Sequence, residues 1–229
     1  MSRIKKRGNR TAKDLRRSSR TEKISNKCTL IITEGKNTEP NYLEALRKRL
    51  GLKATRIEVI HPDGTDPVTL TNEAIKRRDK RKRESSKSNT KVPYDEVWVA
   101  FDLEKSHDER RLNAKKAENL AGVRGIKFAK SDPSFEFWRL LHEKYTAKSL
   151  DSCKAVTNEL KKVCPAYTKS EIPSTETLNK IPAAVKNSQD LRKDNQTSGR
   201  SNPATDMDLL VRSMNGAALN DLQFVLPAK

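Results

Sequence analysis

Three acids stand where hard-metal chemistry could be done: Glu34, Asp102 and Glu104. Glu34 follows the apolar, β-branched run Cys28-Thr-Leu-Ile-Ile-Thr33. Asp102 and Glu104 follow Glu96-Val-Trp-Val-Ala-Phe101. Both runs suit strands buried on both faces. In open α/β sheets, ligands bind beyond the carboxyl ends of the strands. Carboxylates from two such ends converge on one crevice when the strands are neighbours. Oxygen ligands suit Mg²⁺ or Mn²⁺, and Mg²⁺ is usually satisfied by one or two carboxylates plus substrate phosphate. A metal so held polarises a phosphodiester and activates a water. Asp-x-Glu in extended backbone sends both side chains to the same side. The competing reading is that strand ends are polar because they face water.

Other side chains join this set with alternatives open. Gly35 lets backbone approach a ligand closely. Glu39 is either a metal ligand or a first-turn acid that stabilises a helix dipole. Glu136 lies between Phe135 and Phe137 at an apolar helix start, where a carboxylate is costly unless paired or metal-bound. It is a third ligand or a first-turn acid. His61, His107 and His142 have no spacing that binds a metal as a group, and His107 reads as an exposed helix-start residue. Trp98 and Trp138 read as core. Cys28, Cys153 and Cys164 show no zinc-ligand spacing.

The elements that must position these residues alternate. After Glu34-Gly35-Lys36-Asn37, a helix is expected with Thr38 as cap and Pro40 in its first turn, closed by Gly51. Residues 56–60 form a second strand. Residues 68–83 form a helix ending in a basic cluster. Residues 96–101 form the third strand, 107–121 a charged surface helix and 125–129 a fourth strand. A helix then starts with Ser131 or Asp132 as cap and Pro133 at its first position. Beyond residue 143 only helical periodicity is found, at 150–163, at 174–194 and after an Asn202–Thr205 cap. The expected fold is therefore α/β: a mostly parallel four-stranded sheet with helices on both faces, followed by a helical C-terminal part. The expected organisation is a basic, flexible arm at 1–26, an α/β domain at 27–145, a helical extension packed on it at 146–215 and a tail at 216–229.

The formal net charge of +18, with 34% hydrophobic and 34% charged residues, points to a polyanionic partner. Residues 1–27 carry eleven basic and two acidic residues, half of that net charge. Arg16, Arg17 and Arg20 in this arm are candidate phosphate contacts. So are Lys76, Arg77, Arg78, Lys80, Arg81, Lys82 and Arg83, a run too repulsive to be a comfortable solvated face. Such contacts would position nucleic acid without reading sequence. No apolar run marks a secretory leader or a membrane span, so a cytoplasmic protein is expected.

Several segments resemble RloB-like proteins: Ile31-Ile-Thr-Glu34-Gly35-Lys-Asn-Thr38-Glu39-Pro-Asn-Tyr42, the Asp102-x-acid segment and Ser134-Phe-Glu136-Phe-Trp138-Arg-Leu-Leu-His142. Tyr167-Thr-Lys169 and Asn202-Pro203-Ala-Thr205-Asp206 fit as well. The resemblance implies a Toprim fold and a nuclease akin to the nuclease part of OLD-type defence proteins. It implies Glu34 as general acid/base or metal-proximal carboxylate, and Asp102 with Glu104 as metal ligands. It lifts Lys169, otherwise one surface lysine among many, to a stabiliser of charge on the scissile phosphate. Two departures stand out. Glu104 occupies a position where Toprim proteins usually have Asp, which shifts the metal. Glu39 lies one residue further from Glu34 than the usual OLD-type spacing.

The expected function is a Mg²⁺- or Mn²⁺-dependent endonuclease acting on DNA or RNA, with tRNA among the RNA candidates. The resemblance further implies that it acts in prokaryotic antiphage defence under a partner ATPase encoded nearby, as in abortive-infection or restriction-linked loci. The alternative is a non-catalytic nucleic-acid-binding or regulatory subunit of an ATPase defence complex. A primase- or topoisomerase-like reading is disfavoured because the zinc motif and large extra domains of those enzymes are missing from the sequence.

Overall fold

A computed structural model of the chain describes residues 27–54, 57–88, 90–104 and 108–216. The arm with Arg16, Arg17 and Arg20, together with His107, lies outside the described residues, as does the tail beyond Gly216.

The elements run β1 (Thr29–Thr33), α1 (Thr38–Arg49), β2 (Ile57–Ile60), α2 (Pro67–Lys87), β3 (Glu96–Asp102), α3 (Asp108–Arg124), β4 (Lys127–Asp132) and α4 (Phe135–Glu143). They continue with α5 (Cys153–Val163), α6 (Thr175–Asn179), α7 (Ile181–Ser198), β5 (Ala204–Thr205) and α8 (Met207–Met214). The sheet order is β2-β1-β3-β4-β5. The first four strands are parallel, and β5 pairs antiparallel with β4. The sheet thus has five strands, not the four expected. Asn202–Thr205, expected as a helix cap, instead closes the outer edge of β4 as strand and lead-in. Two residues are too few to show any periodicity.

Period-two alternation divides the core into two layers. Ile31, Trp98, Ala100 and Ala129 face one side, with Tyr42, Leu43 and Leu46 of α1 and Phe137, Trp138 and Leu141 of α4. Leu30, Ile32, Val97, Val99 and Phe101 face the other, with Leu70 and Ala74 of α2 and Ala114 and Ala121 of α3. The first layer continues without a break through Val156, Leu160, Leu191, Leu210 and Met214. Helices α5 to α8 therefore extend the same core.

Three helix starts differ from expectation. Thr38 is the first helical residue, preceded by Asn37, which makes no side-chain capping bond. β4 runs on to Asp132, so Ser131 and Asp132 are strand residues. α4 begins at Phe135 after Ser134, leaving Pro133 outside the helix behind a cis Asp132–Pro133 bond. The periodic stretch at 174–194 is two helices joined at Lys180.

Asp208, fully buried at the start of α8, accepts bonds from Ser188 Oγ at 3.0 Å and Arg192 Nη2 at 2.7 Å. Asp208→Ala removes the carboxylate that holds Arg192. We expect a loss of about 2–3 kcal/mol in urea unfolding, less than for a fully buried pair because water reaches part of Arg192.

Candidate active site

β1 and β3 are neighbours, so their carboxyl ends deliver the two acids side by side. The Glu34 N–H donates to Ala100 O at 3.0 Å, extending the ladder past β1. The Asp102 N–H donates back to Glu34 Oε2 at 2.9 Å. Glu39, in the first turn of α1, and Glu136, in the first turn of α4, reach the same place. Glu34, Glu39 and Glu136 each raise the pKa of Asp102 through their charge.

The helices carrying these two acids are pinned to each other. His142 Nδ1 sits 2.9 Å from Trp138 O, and His142 Nε2 sits 3.0 Å from the Tyr42 hydroxyl. Burial holds the His142 pKa down at about 3, so the ring is neutral. Nδ1 therefore donates to the carbonyl and Nε2 accepts from Tyr42. Tyr42 also packs edge-on against Phe135 and Trp138. Both tryptophans are core residues, as expected.

Electrostatics mark the cluster as short of positive charge. Asp102 titrates well above the ordinary carboxylate range, from desolvation first and then from Glu39, Glu34 and Glu136. Glu39, only 6% exposed, is pushed up to about 7. Burial is the main cause, with Glu34 and Glu136 adding to it, and the backbone N–H groups of Glu39 and Gly35 opposing it. Glu34 is also raised, by burial and by Glu104, against the Asp102 N–H and Arg110. Oxygen donors drawn together by four elements, with Glu34, Glu39 and Asp102 all raised in pKa, fit a hard divalent cation. Among the described residues, however, no three His, Cys, Asp or Glu side chains stand ready to hold a metal jointly.

Glu104 departs from the expected geometry. β3 ends at Asp102, and Glu104 has φ +22° with its N–H on Pro133 O at 3.1 Å. Strand alternation therefore does not carry Glu104 to the side of Asp102. Glu104 still lies within electrostatic range of Glu34.

Gly35 accommodates a close approach, but the group that approaches is Glu39. A Cβ built on Gly35 would lie 2.0 Å from Glu39 Oε2. Gly35→Ala is expected to displace the Glu39 carboxylate and, for the metal site proposed below, to weaken Mn²⁺ binding by roughly tenfold or more, leaving the circular dichroism spectrum intact. Titration calorimetry measures it.

Lys169 ion-pairs with Glu136 Oε1 at 3.3 Å and donates to Cys153 Sγ at 3.1 Å. Its pKa is raised, chiefly by Cys153 and Glu136 against a desolvation cost, so it stays charged. The loop bearing it is tied to α1 by Asn41 Nδ2 on Ser170 O at 2.7 Å. Glu136 Oε2 also accepts from Ser134 Oγ at 2.7 Å.

Arg110 of α3 is the site residue that sequence reasoning missed. It forms an ion pair with Glu34, and its Nε donates to Asp102 O at 2.7 Å. Nothing in the charged run 108–118 distinguishes it from its neighbours. Asp132, at the end of β4, is a further strand-end acid. Arg111 at 2.8 Å and Asn202 at 2.8 Å occupy its two oxygens, which gives it a structural part.

The basic run on α2 is not a single surface facing the carboxylates. Arg78 donates to Arg124 O at the end of α3, and Arg81 to Val92 O ahead of β3. These contacts place the C-terminal half of α2 at the amino ends of the strands, away from the acids. Arg81 also stacks on Tyr94, and Arg77 pairs with Glu73 at 2.6 Å. Lys80, Lys82 and Arg83 are exposed.

A family model described as RloB-like protein matches residues 29–214. No curated protein and no solved structure matches the chain.

Proposed function

We propose that this chain, which belongs to the RloB-like protein family, is a divalent-metal-dependent endonuclease with a Toprim-like site. It acts on DNA or RNA in the cytoplasm of a prokaryote during antiphage defence, under control of a partner ATPase. The observation that carries this reading is the convergence of Glu34, Glu39, Asp102 and Glu136, in which the charges of Glu34 and Glu136 raise the pKa of both Glu39 and Asp102. The basic composition supplies the attraction for nucleic acid that four carboxylates would repel.

Glu34, Glu39, Asp102 and Glu136 are the residues that would hold Mg²⁺ or Mn²⁺. Such an ion supplies Lewis acidity toward a phosphodiester and lowers the pKa of a bound water. Glu34, whose pKa burial raises above the ordinary carboxylate value, is the candidate proton acceptor. Lys169, held charged beside Glu136, offsets negative charge that develops on the phosphate. Arg110 orients the Glu34 carboxylate from the opposite side.

The test is a cleavage assay on DNA and total RNA with Mg²⁺ and with Mn²⁺, with and without the neighbouring ATPase. Absence of cleavage under all these conditions would overturn the reading. A second reading, a non-catalytic nucleic-acid-binding subunit, is favoured by one observation: Glu104 is turned out of strand geometry. It predicts no Mn²⁺ binding in calorimetry.

The membrane has no part in either reading, and among the described residues no helix is long and apolar enough to cross one.

A further inference from the structure

We propose that the cleft beyond β2 is a nucleotide subsite, which takes one unpaired nucleotide of the substrate strand next to the carboxylate cluster. The inference rests on the nucleic-acid part of the function proposed above.

The cleft has a volume of about 510 Å³ and is lined by His61, Asp63, Asn72, Glu73, Lys76 and Arg77 among others. That is within the usual range of small-ligand sites. Its place follows from strand register. Ile60, the last residue of β2, pairs with Ile32, so His61 follows at the carboxyl end of β2, the same end of the sheet at which β1 delivers Glu34. Thr33 Oγ1 reaches Ile60 O at 3.4 Å between the two strands. A strand passing over Glu34 and Asp102 therefore meets this cleft next.

The lining has the mixed chemistry of a nucleotide. Both ring nitrogens of His61 are shielded from water and have no hydrogen-bond partner among the described residues. An imidazole left so is costly, and turning the ring into the cleft to meet a bound base relieves that cost. Asn72 and Asp63 offer the donor and acceptor pattern that reads a base edge. Lys76 and Arg77 share the single carboxylate of Glu73, at 3.6 and 2.6 Å, so one carboxylate leaves cationic capacity for a phosphate. With Asp63 counted, the four charges of the lining cancel, which disfavours a bare polyanion and leaves only the Lys76–Arg77 end to meet a single phosphate. The structure thus divides the basic run: Lys76 and Arg77 face the cleft, and Lys82 and Arg83 lie further along α2 toward the amino ends of the strands.

The test is fluorescence anisotropy with the full chain, labelled single-stranded DNA and RNA of about 12 nucleotides, and EDTA to prevent cutting. His61→Ala and Asn72→Ala should each weaken binding at least about fivefold, the scale of losing one base contact. The pair K76E/R77E should weaken it more than about tenfold and reduce the salt slope by roughly 1. The charge-matched pair K82E/R83E should weaken it by less than about threefold. Equal weakening by the two pairs, or wild-type binding by both H61A and N72A, overturns the subsite. Such a result leaves the cleavage reading standing, because cutting by the wild-type chain is tested separately. Failure of the wild-type chain to bind either strand overturns the subsite as well, and the cleavage assay alone decides the nuclease reading.

Discussion

Replacing Glu34 or Asp102 with Ala is expected to reduce metal-dependent cleavage by on the order of 10³-fold or more. Nucleic-acid binding in EDTA should stay within about twofold, since phosphate contacts, not these acids, supply the affinity. The size of the effect follows from position. Glu34 and Asp102 are joined through the Asp102 N–H, and both are engaged by Arg110. Loss of either removes an oxygen donor; loss of Glu34 also leaves Arg110 without its carboxylate, whereas Arg110 reaches Asp102 through a backbone carbonyl that Asp102→Ala keeps. Glu34→Gln separates these effects: it keeps an acceptor for the Asp102 N–H but cannot take a proton. Thermal melting of each variant confirms that the fold persists. Metal-dependent cutting retained by both alanine variants would sink the assignment.

Glu39→Gln should stabilise the metal-free protein at pH 8 by about 3 kcal/mol, and the gain should vanish near pH 4.5. Glu39 titrates at about 7 in the fold against an ordinary 4.5, and each pH unit between those values is worth 1.36 kcal/mol. The folded state binds this proton more tightly than the unfolded chain. Its contribution is therefore full below pH 4.5 and is lost as pH rises toward 7. Glutamine is neutral throughout and escapes that loss. The comparison must be between the two proteins, because His142 works in the opposite sense. Its pKa of about 3 adds stability as pH rises from about 3 to 6.5. Saturating Mn²⁺ should reverse the order at pH 8, stabilising the wild type more than the variant. Urea titrations at the two pH values, with and without Mn²⁺, decide it. Equal stability of the two proteins across the range would show that Glu39 pays no charge penalty in the fold.

The legible parts of the fold were those with strong physical constraints on composition. β1 and β3 are buried on both faces, so their sequences had to be unbroken apolar runs. Their ends had to be polar, which made Glu34 and Asp102 visible. The parallel order followed from alternation of strand with helix. Glu39 and Glu136 were visible as acids in first turns, but their convergence needed the packing of Tyr42 on Phe135 and Trp138. Lys169 could be singled out only through the family pattern, since its meaning lies in Glu136, far away in sequence. Arg110 was not legible because a charged helix face offers many equivalent arginines. The direction of α2 was implicit in the topology: a helix that leaves the carboxyl end of a strand must carry its later residues to the opposite end. The basic run was read as a unit because charge counting ignores that direction. Glu104 was named, but its expected side was wrong because strand alternation was extended two residues beyond where β3 stops.

The antiparallel pairing of Ser131 with Thr205 joins residues 74 positions apart. On a ribosome adding about 5–20 residues per second, β4 emerges roughly 4–15 s before the strand that covers its edge. During that interval its outer backbone groups are open to any other nascent chain. Lys127 and Lys130, placed along β4, are the kind of residue that discourages such pairing. The C-terminal region thus has a duty in biogenesis as well as in the finished core: it closes the Ser131–Asp132 end of a strand whose earlier residues carry two lysines.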